Sequence, residues 1–415
     1  MIRCRILSLG HTLNDRSDLH HDSNSIAQHV VLLGAGYVCI WAYRALRRRF
    51  GHEVTITVVS PAQEHVFHGF TGEVLSGAWP SDAQLSPLTE VFPKAERVHG
   101  RATAVNRDER TVAIELADGG TGTLHYDHLV IGTGAVENVE SVPGLQEYGF
   151  RLRDAGRTAA LAAHLDECVA AGGSQPPRVA VVGAGLAGVE AAVAIAQRLA
   201  DAANRTGATA PGEVVLIGAA DAVGYELSPR LREQVGTELS RNKIRLLAPA
   251  RVVRVSAAEV ELDDGDPIAV STVVAAVGNR VRPLPGLDDL PVDDRGALIT
   301  DDRLQIAPGI WAGGDAASVP LPSGEPCPLD ASWAIGQGTW VGRNISRVIR
   351  GTPQRPFTWR SVGVTAGFGR GRAVLDAWGM GFRGWPAWAS RLAFFLFYLP
   401  SRRHALRVIA ALVRR

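Results

Sequence analysis

Two glycine turns hold the residues best suited to chemistry. The first, Gly34-Ala35-Gly36, follows Val30-Val31-Leu32-Leu33 and precedes Tyr37-Val38-Cys39. The second, Gly183-Ala184-Gly185-Leu186-Ala187-Gly188, follows Val179-Ala180-Val181-Val182 and precedes Val189-Glu190. Each reads as a buried strand, a tight turn and the start of a helix. The first glycine permits the turn. The second lets backbone approach a pyrophosphate at the positive helix end. One such unit suggests one dinucleotide. Two suggest FAD on the first turn and NADH or NADPH on the second, with electrons passing between them.

The two turns differ in completeness. Gly188 completes the second GxGxxG, and Glu190 follows in the first helical turn. Glu190 has two readings: a catalytic group beside the nicotinamide, or a glutamate favoured by the helix dipole. In the first turn Cys39 stands where the third glycine belongs. A second strand, read as Glu53–Val59, leads to Ser60 where an acidic residue would grip a ribose. Ser60 can still make one hydrogen bond there. After the strand Glu213–Ile217, Gly218 supplies neither an acidic selector for NADH nor an arginine for a 2′-phosphate. Asp221 falls three residues late, so NADH and NADPH both stay open.

The elements that must position these turns need several domains, because 415 residues exceed one ordinary core. An apolar content of 46% with 45 glycines fits an α/β enzyme. A net charge of +1 gives no field for nucleic acid. Only Lys94 and Lys243 are lysines, which disfavours covalent lysine chemistry. Cys4, Cys39, Cys168 and Cys327 form no CxxC or CxxxxC pair, so neither a redox disulfide nor a metal site is expected. The first 28 residues read as a disordered extension. Metal binding by its His11, His20 and His21 is the alternative.

Further segments strengthen the reading by resemblance. His125-Tyr126-Asp127-His128-Leu129-Val130-Ile131-Gly132-Thr133-Gly134 resembles the "YDxLVIATG" turn of two-dinucleotide flavoproteins, which implies FAD contact at Thr133 and Gly134. Ile310-Trp311-Ala312-Gly313-Gly314-Asp315-Ala316 resembles their "hhAxGD" segment. That implies FAD contact at Gly314, Asp315 and Ala316, with Asp315 reaching the ribityl chain or pyrophosphate. The ordered set, from about Val30 onward, resembles the type II NADH dehydrogenases, the single-chain NADH:quinone oxidoreductases. His65-Val66-Phe67-His68 stands at their "YHxFxP" stretch, Arg347–Phe357 at "RxLRGxPxxPF", and Arg370–Val374 at "GRxxAV". The resemblance also favours the catalytic reading of Glu190, and NADH by family alone.

One departure concerns the electron output. Ala331-Ser332-Trp333-Ala334-Ile335-Gly336-Gln337-Gly338 stands where that family has "AQxAxQQG". The family's two glutamines line its quinone site. Here those positions are Ser332 and Gly336, and only the following Gln337 is retained. The expected acceptor pocket is therefore Ser332, Trp333, Gly336 and Gln337, with Trp333 as an apolar wall or as plain packing. His65 and His68 are either proton relays or pocket-lining groups.

The C-terminal stretch from Ala377 onward contains no acidic residue, seven arginines, and Trp378, Trp385 and Trp388. Its apolar run Leu392–Leu399 is far shorter than the ~20 residues of a spanning helix. Beyond Pro400, Ala405, Val408, Ile409 and Leu412 share a helical face, with Arg403, Arg407 and Arg414 on another. This describes a helix lying in a membrane interface. The alternative is an amphipathic helix docked on protein.

The expected fold is α/β, with two Rossmann-like dinucleotide-binding domains and a C-terminal amphipathic helical membrane-anchoring region. The expected division is an extension at 1–28, an FAD domain at 29–150 and 285–355, an NAD(P)H domain at 151–284 between its halves, and a membrane-associating region at 356–415. The expected function is hydride transfer from NAD(P)H to FAD and then to a quinone, at the cytoplasmic face of the plasma membrane. A homodimer is compatible with this. Alternatives are a non-quinone acceptor such as a small redox protein, a sulfide:quinone oxidoreductase, or a non-enzymatic NAD(P)H sensor.

Overall fold

The computed structural model describes residues 28–171 and 176–413. The expected extension before Gln28, with Cys4, His11, His20 and His21, lies outside the described residues, as do Arg414 and Arg415.

The first domain is built on an eight-stranded sheet. Its order is Gln305–Ala307, Ile310–Ala312, His128–Ile131, His29–Leu33, Thr55–Ser60, Glu96–Asn106, Thr111–Leu116 and Thr121–His125. The strands from Ile310–Ala312 across to the start of Glu96–Asn106 run parallel. Val30 to Leu33 are buried without alternation, as expected of a parallel strand covered on both faces. Two helices, Tyr37–Phe50 and Ala331–Ile349, pack against each other with their backbones close. A Cβ at Gly338 would lie 2.4 Å from the Val38 carbonyl oxygen, and one at Gly342 would lie 2.7 Å from that of Ala42. Both glycines are therefore packing requirements.

The second domain has five parallel strands, ordered Gly149–Arg151, Thr272–Ala275, Arg178–Val182, Glu213–Ile217 and Arg245–Leu247. Its central strand serves two cores. Val179 and Val181 enter one, and Ala180 and Val182 enter the other. Strands 305–312 complete the first sheet after this domain ends, so the second domain is an insertion within the first. A short antiparallel ribbon, Val136–Glu137 with Asn279–Arg280, marks the crossing. Gly149 and Phe150 thus belong to the second sheet, just ahead of the expected boundary at 151. Phe357 packs in the first core, past the expected boundary at 355.

The C-terminal region is a three-stranded antiparallel sheet, Val364–Gly367, Ala373–Ala377 and Met380–Arg383, followed by helices Trp385–Tyr398 and Arg402–Val413. The last helix docks on the first domain through a polar anchor. His404 is buried, its Nε2–H donates to the Ala83 carbonyl at 2.7 Å, and its Nδ1 accepts from the Ser86 hydroxyl. Burial pushes its pKa down, so the ring is held neutral. Ser401 bonds Glu90 alongside. The expected apolar stripe is therefore divided. Val408, with Ala405 and Leu412, packs on the protein, whereas Ile409 remains 41% exposed. Among the described residues, no helix is long and apolar enough to cross a membrane.

Candidate functional site

The first glycine turn sits where the His29–Leu33 strand feeds the Tyr37–Phe50 helix. Gly34 has φ +104°, and a Cβ there would lie 2.3 Å from the Gly132 carbonyl oxygen. Glycine is thus required both for conformation and for space. Gly36 is the helix N-cap, no side chain caps the helix, and its first turn contains no acid. A helix end with bare N–H groups suits an anion such as a dinucleotide pyrophosphate. Cys39 packs over Gly132, where a Cβ would come within 2.5 Å of its sulfur, and its thiol donates to the Leu33 carbonyl at 3.4 Å. Ser60 ends its strand buried, and its hydroxyl accepts from Ala62 N–H at 3.2 Å.

Two other loops converge on this turn. Thr133 and Gly134 follow the neighbouring strand, with Thr133 exposed. Gly314, Asp315 and Ala316 follow the next strand over as a single 3-10 turn. Asp315 pairs with Arg153 at 2.8 Å, an arginine that the motifs do not reveal. Gln337 Oε1 accepts from Gly314 N–H at 2.6 Å. Gln337 is thereby committed to holding the Asp315 loop.

The second turn is tighter. A Cβ at Gly183 would lie 2.2 Å from the Ala276 carbonyl oxygen, and one at Gly188 would lie 1.9 Å from that of Gly183. Gly218 closes on the same turn, since a Cβ there would lie 2.6 Å from Ala184 Cβ. Packing therefore excludes a selector side chain at 218. The Leu186–Thr206 helix starts on Gly185 without a side-chain cap of its own. Glu226 reaches in from the loop after Asp221, and its carboxylate accepts from Leu186 N–H at 3.2 Å. A carboxylate thus stands where a dinucleotide phosphate would bind. Glu226→Ala is expected to tighten NAD(P)H binding about 2- to 5-fold, the worth of one competing anion at a helix N-terminus. Fluorescence titration checks this; weaker binding would show that Glu226 is itself a ligand.

Glu190 lies at the seam of the three regions. Its carboxylate accepts from Gly367 N–H at 2.6 Å and from Arg391 at 3.3 Å. Arg391, on the first C-terminal helix, also pairs with Glu73 and donates to the Gly69 carbonyl at 2.8 Å. Its guanidinium lies 4.4 Å from the Phe395 ring centre. Burial raises the Glu190 pKa, and Arg391 and the Gly367 N–H oppose this. Neither Arg391 nor Glu73 carries a sequence signal, being 318 residues apart.

His65 is buried, and its Nδ1–H donates to the Ala35 carbonyl of the first turn at 2.8 Å. Burial lowers its pKa to about 4, so it is neutral near pH 7. Its Nε2 is buried with no hydrogen-bond partner among the described residues. His68 is exposed, and no hydrogen bond joins the two rings among the described residues. His65 therefore braces the turn.

The expected acceptor residues lie on the first two turns of the Ala331–Ile349 helix. Trp333 is buried beside Phe357, with ring centres 6.1 Å apart, and lines a small cavity with Asp315 and Cys327. Ser332 and Gly336 lie under the segment 359–362. The three described cysteines are not brought together. Cys39 lies in the first turn, Cys168 lies 3.4 Å from His164 on a helix of the second domain, and Cys327 is beside Gln337. No group of three or more residues suited to a metal exists among the described residues.

A demethylphylloquinone reductase of Synechocystis is 29% identical over 395 residues, covering 91% of this chain and 94% of its own. A NADH dehydrogenase-like protein of Mycobacterium tuberculosis is 30% identical over 331 residues, covering 76% of this chain and 79% of its own. A solved structure of NDH2 from Plasmodium falciparum in complex with NADH superposes with a TM-score of 0.84 at 13% identity, covering 93% of this chain and 98% of that one. Residues 12–338 match a single family description that spans both glycine turns and the Asp315 loop. The chain therefore belongs to the pyridine nucleotide-disulphide oxidoreductase family.

Proposed function

We propose that this protein is an FAD-dependent oxidoreductase that takes hydride from NAD(P)H and passes two electrons to a quinone. The observation that carries the reading is the pair of glycine-started helix N-termini in two domains that Arg391 of the C-terminal helix ties together through Glu190 and Glu73. The relatives named as quinone reductase and NADH dehydrogenase support it. Bound FAD would supply the two-electron relay between hydride donor and acceptor. Gly34, Gly36, Thr133, Gly134, Gly314, Asp315 and Ala316 form its cradle, with Ser60 at the strand end. Gly183, Gly185 and Gly188 form the NAD(P)H cradle, and Glu190 orients the nicotinamide side of the seam. The chain's work is alignment and the exclusion of water.

Anaerobic mixing with NADH or NADPH, then with a soluble quinone, tests this. Bleaching of the flavin followed by recovery is expected. Failure of both nucleotides to bleach it overturns the proposal.

The membrane surface is the proposed workplace, at the cytoplasmic face where NAD(P)H is available. Phe397 is 79% and Leu406 66% exposed, and Arg402 and Arg403 lie exposed on the same helical tail. Truncating the tail would also remove Arg391 and His404, so surface substitutions test the idea better. Combining Phe397→Ser and Leu406→Ser with Arg402→Glu and Arg403→Glu is expected to weaken binding to anionic vesicles by about 30-fold or more, since each arginine contributes about 1 kcal/mol. Unchanged flotation with those vesicles would remove the tail from this role.

A further inference from the structure

Ser332 and Gly336 stand one turn apart on the Ala331–Ile349 helix and so share one face. The segment 359–362 covers that face. Ser332 Oγ accepts from Val362 N–H at 3.4 Å. At Gly336 a Cβ would lie 2.5, 2.6 and 2.7 Å from three atoms of the Trp359 pyrrole ring. The indole lies directly on bare helix backbone, and no side chain fits at 336 while Trp359 keeps its place. Gly336 has no left-handed backbone to explain it. Glycine inside a helix is unfavourable, so its presence here is a packing requirement set by Trp359.

The indole offers chemistry as well as bulk. Its ring is half-buried, and its N–H is buried without a hydrogen-bond partner among the described residues. Buried indole N–H groups are normally paired. The next residue along the helix, Gln337, holds the Gly314 N–H at 2.6 Å, one residue from Asp315. The covered face therefore adjoins the loop assigned to the cofactor.

We infer that Trp359, seated on Gly336, is the specificity-determining residue for the electron acceptor. It takes a flat acceptor with a ring carbonyl: the indole edge forms the wall, and the unpartnered N–H donates to the carbonyl oxygen. This rests on the quinone-reductase reading above and adds the residue that selects the quinone. Glu190 and the second turn serve the nucleotide side and are untouched by it.

The test compares the holoenzyme with Trp359→Phe, which keeps the cover but removes the donor, and Trp359→Ala, which removes both. Binding of a soluble short-chain benzoquinone to the oxidised protein is measured by calorimetric titration. Reoxidation of the reduced flavin by the same quinone, and by ferricyanide, is measured by stopped flow. Loss of one neutral hydrogen bond is expected to weaken quinone binding about 3- to 10-fold in Trp359→Phe, and further in Trp359→Ala. Flavin reduction by NAD(P)H and reoxidation by ferricyanide are expected to stay within about 2-fold, because neither needs the donor. Unchanged quinone affinity in both folded variants overturns the inference. Quinone binding that depends on Trp359 without reoxidation in the wild type supports the inference but sinks the proposed function. A wild type that neither binds nor is reoxidised by the quinone overturns both.

Discussion

Replacing Arg391 by alanine is expected to destabilise the protein by about 3–5 kcal/mol, the usual cost of stranding buried charge. Arg391 is only 6% exposed, with Glu73 at 14% and Glu190 at 24%. One guanidinium serves two carboxylates from two other regions, along with the Gly69 carbonyl. Gly367 lets it lie flat on backbone, since a Cβ there would come within 2.8 Å of Arg391 Cζ. Arg391→Lys should recover only part of the loss, because an ammonium cannot reproduce the planar fork that spans both carboxylates. Thermal and denaturant unfolding measure the cost. A loss below about 1 kcal/mol, typical of an exposed pair, would show that the cluster is dispensable.

The pH dependence has a definite sign. Burial raises the Glu190 pKa above its ordinary 4.5, so the folded state holds its proton more tightly than the unfolded chain. Its contribution to stability is complete below that ordinary value and falls as pH rises through the folded pKa. Removing Arg391 raises the folded pKa further. The Arg391→Ala penalty is therefore expected to be smallest near pH 4.5 and to grow toward neutrality. Glu190→Gln, which keeps an acceptor for the Gly367 N–H, should flatten this rise. A penalty independent of pH would assign the loss to packing on Phe395 alone.

Gly188→Ala is expected to cut NAD(P)H-driven flavin reduction on the order of 10²-fold, the usual price of an ångström-scale displacement at a reacting centre. The new Cβ would lie 1.9 Å from the Gly183 carbonyl oxygen. Gly183 cannot retreat, because it is itself pressed on Ala276 with φ +116°. The helix must move away from the strand, taking the N–H groups of its first turn with it. Flavin content should hold, since the first turn lies in another sheet and tolerates Cys39 at the matching position. Absorbance gives the flavin stoichiometry, and anaerobic bleaching gives the rate. Bleaching at the wild-type rate would mean that the second turn does not position the nucleotide.

Much of the fold was legible in the residues. Both glycine turns, the flanking strands and the loop at Asp315 are specified over a few consecutive positions. Dihedral freedom, helix dipoles and close backbone approach act over that range. Length and composition likewise indicated an α/β chain of several domains, and the apolar runs were too short for a spanning helix.

What depends on distant partners was not legible. Glu190 could be flagged by its place after the turn, but Arg391 and Glu73 meet it only because the C-terminal helix folds back across the seam. Gly336 read as a lost side chain, whereas the tertiary structure shows an indole filling its space. Gln337 read as a pocket residue; it lines the small cavity beside Trp333, and its Oε1 also holds the Gly314 backbone. The tail read as one amphipathic stripe, but the buried His404 turns part of it onto protein and leaves Leu406 and Ile409 outward. Sequence by itself determined where the two uncapped, glycine-started helix N-termini form, because that follows from local backbone geometry. Only the tertiary structure decided what surrounds the reacting groups, because burial and charge pairing are set by residues far apart in the chain.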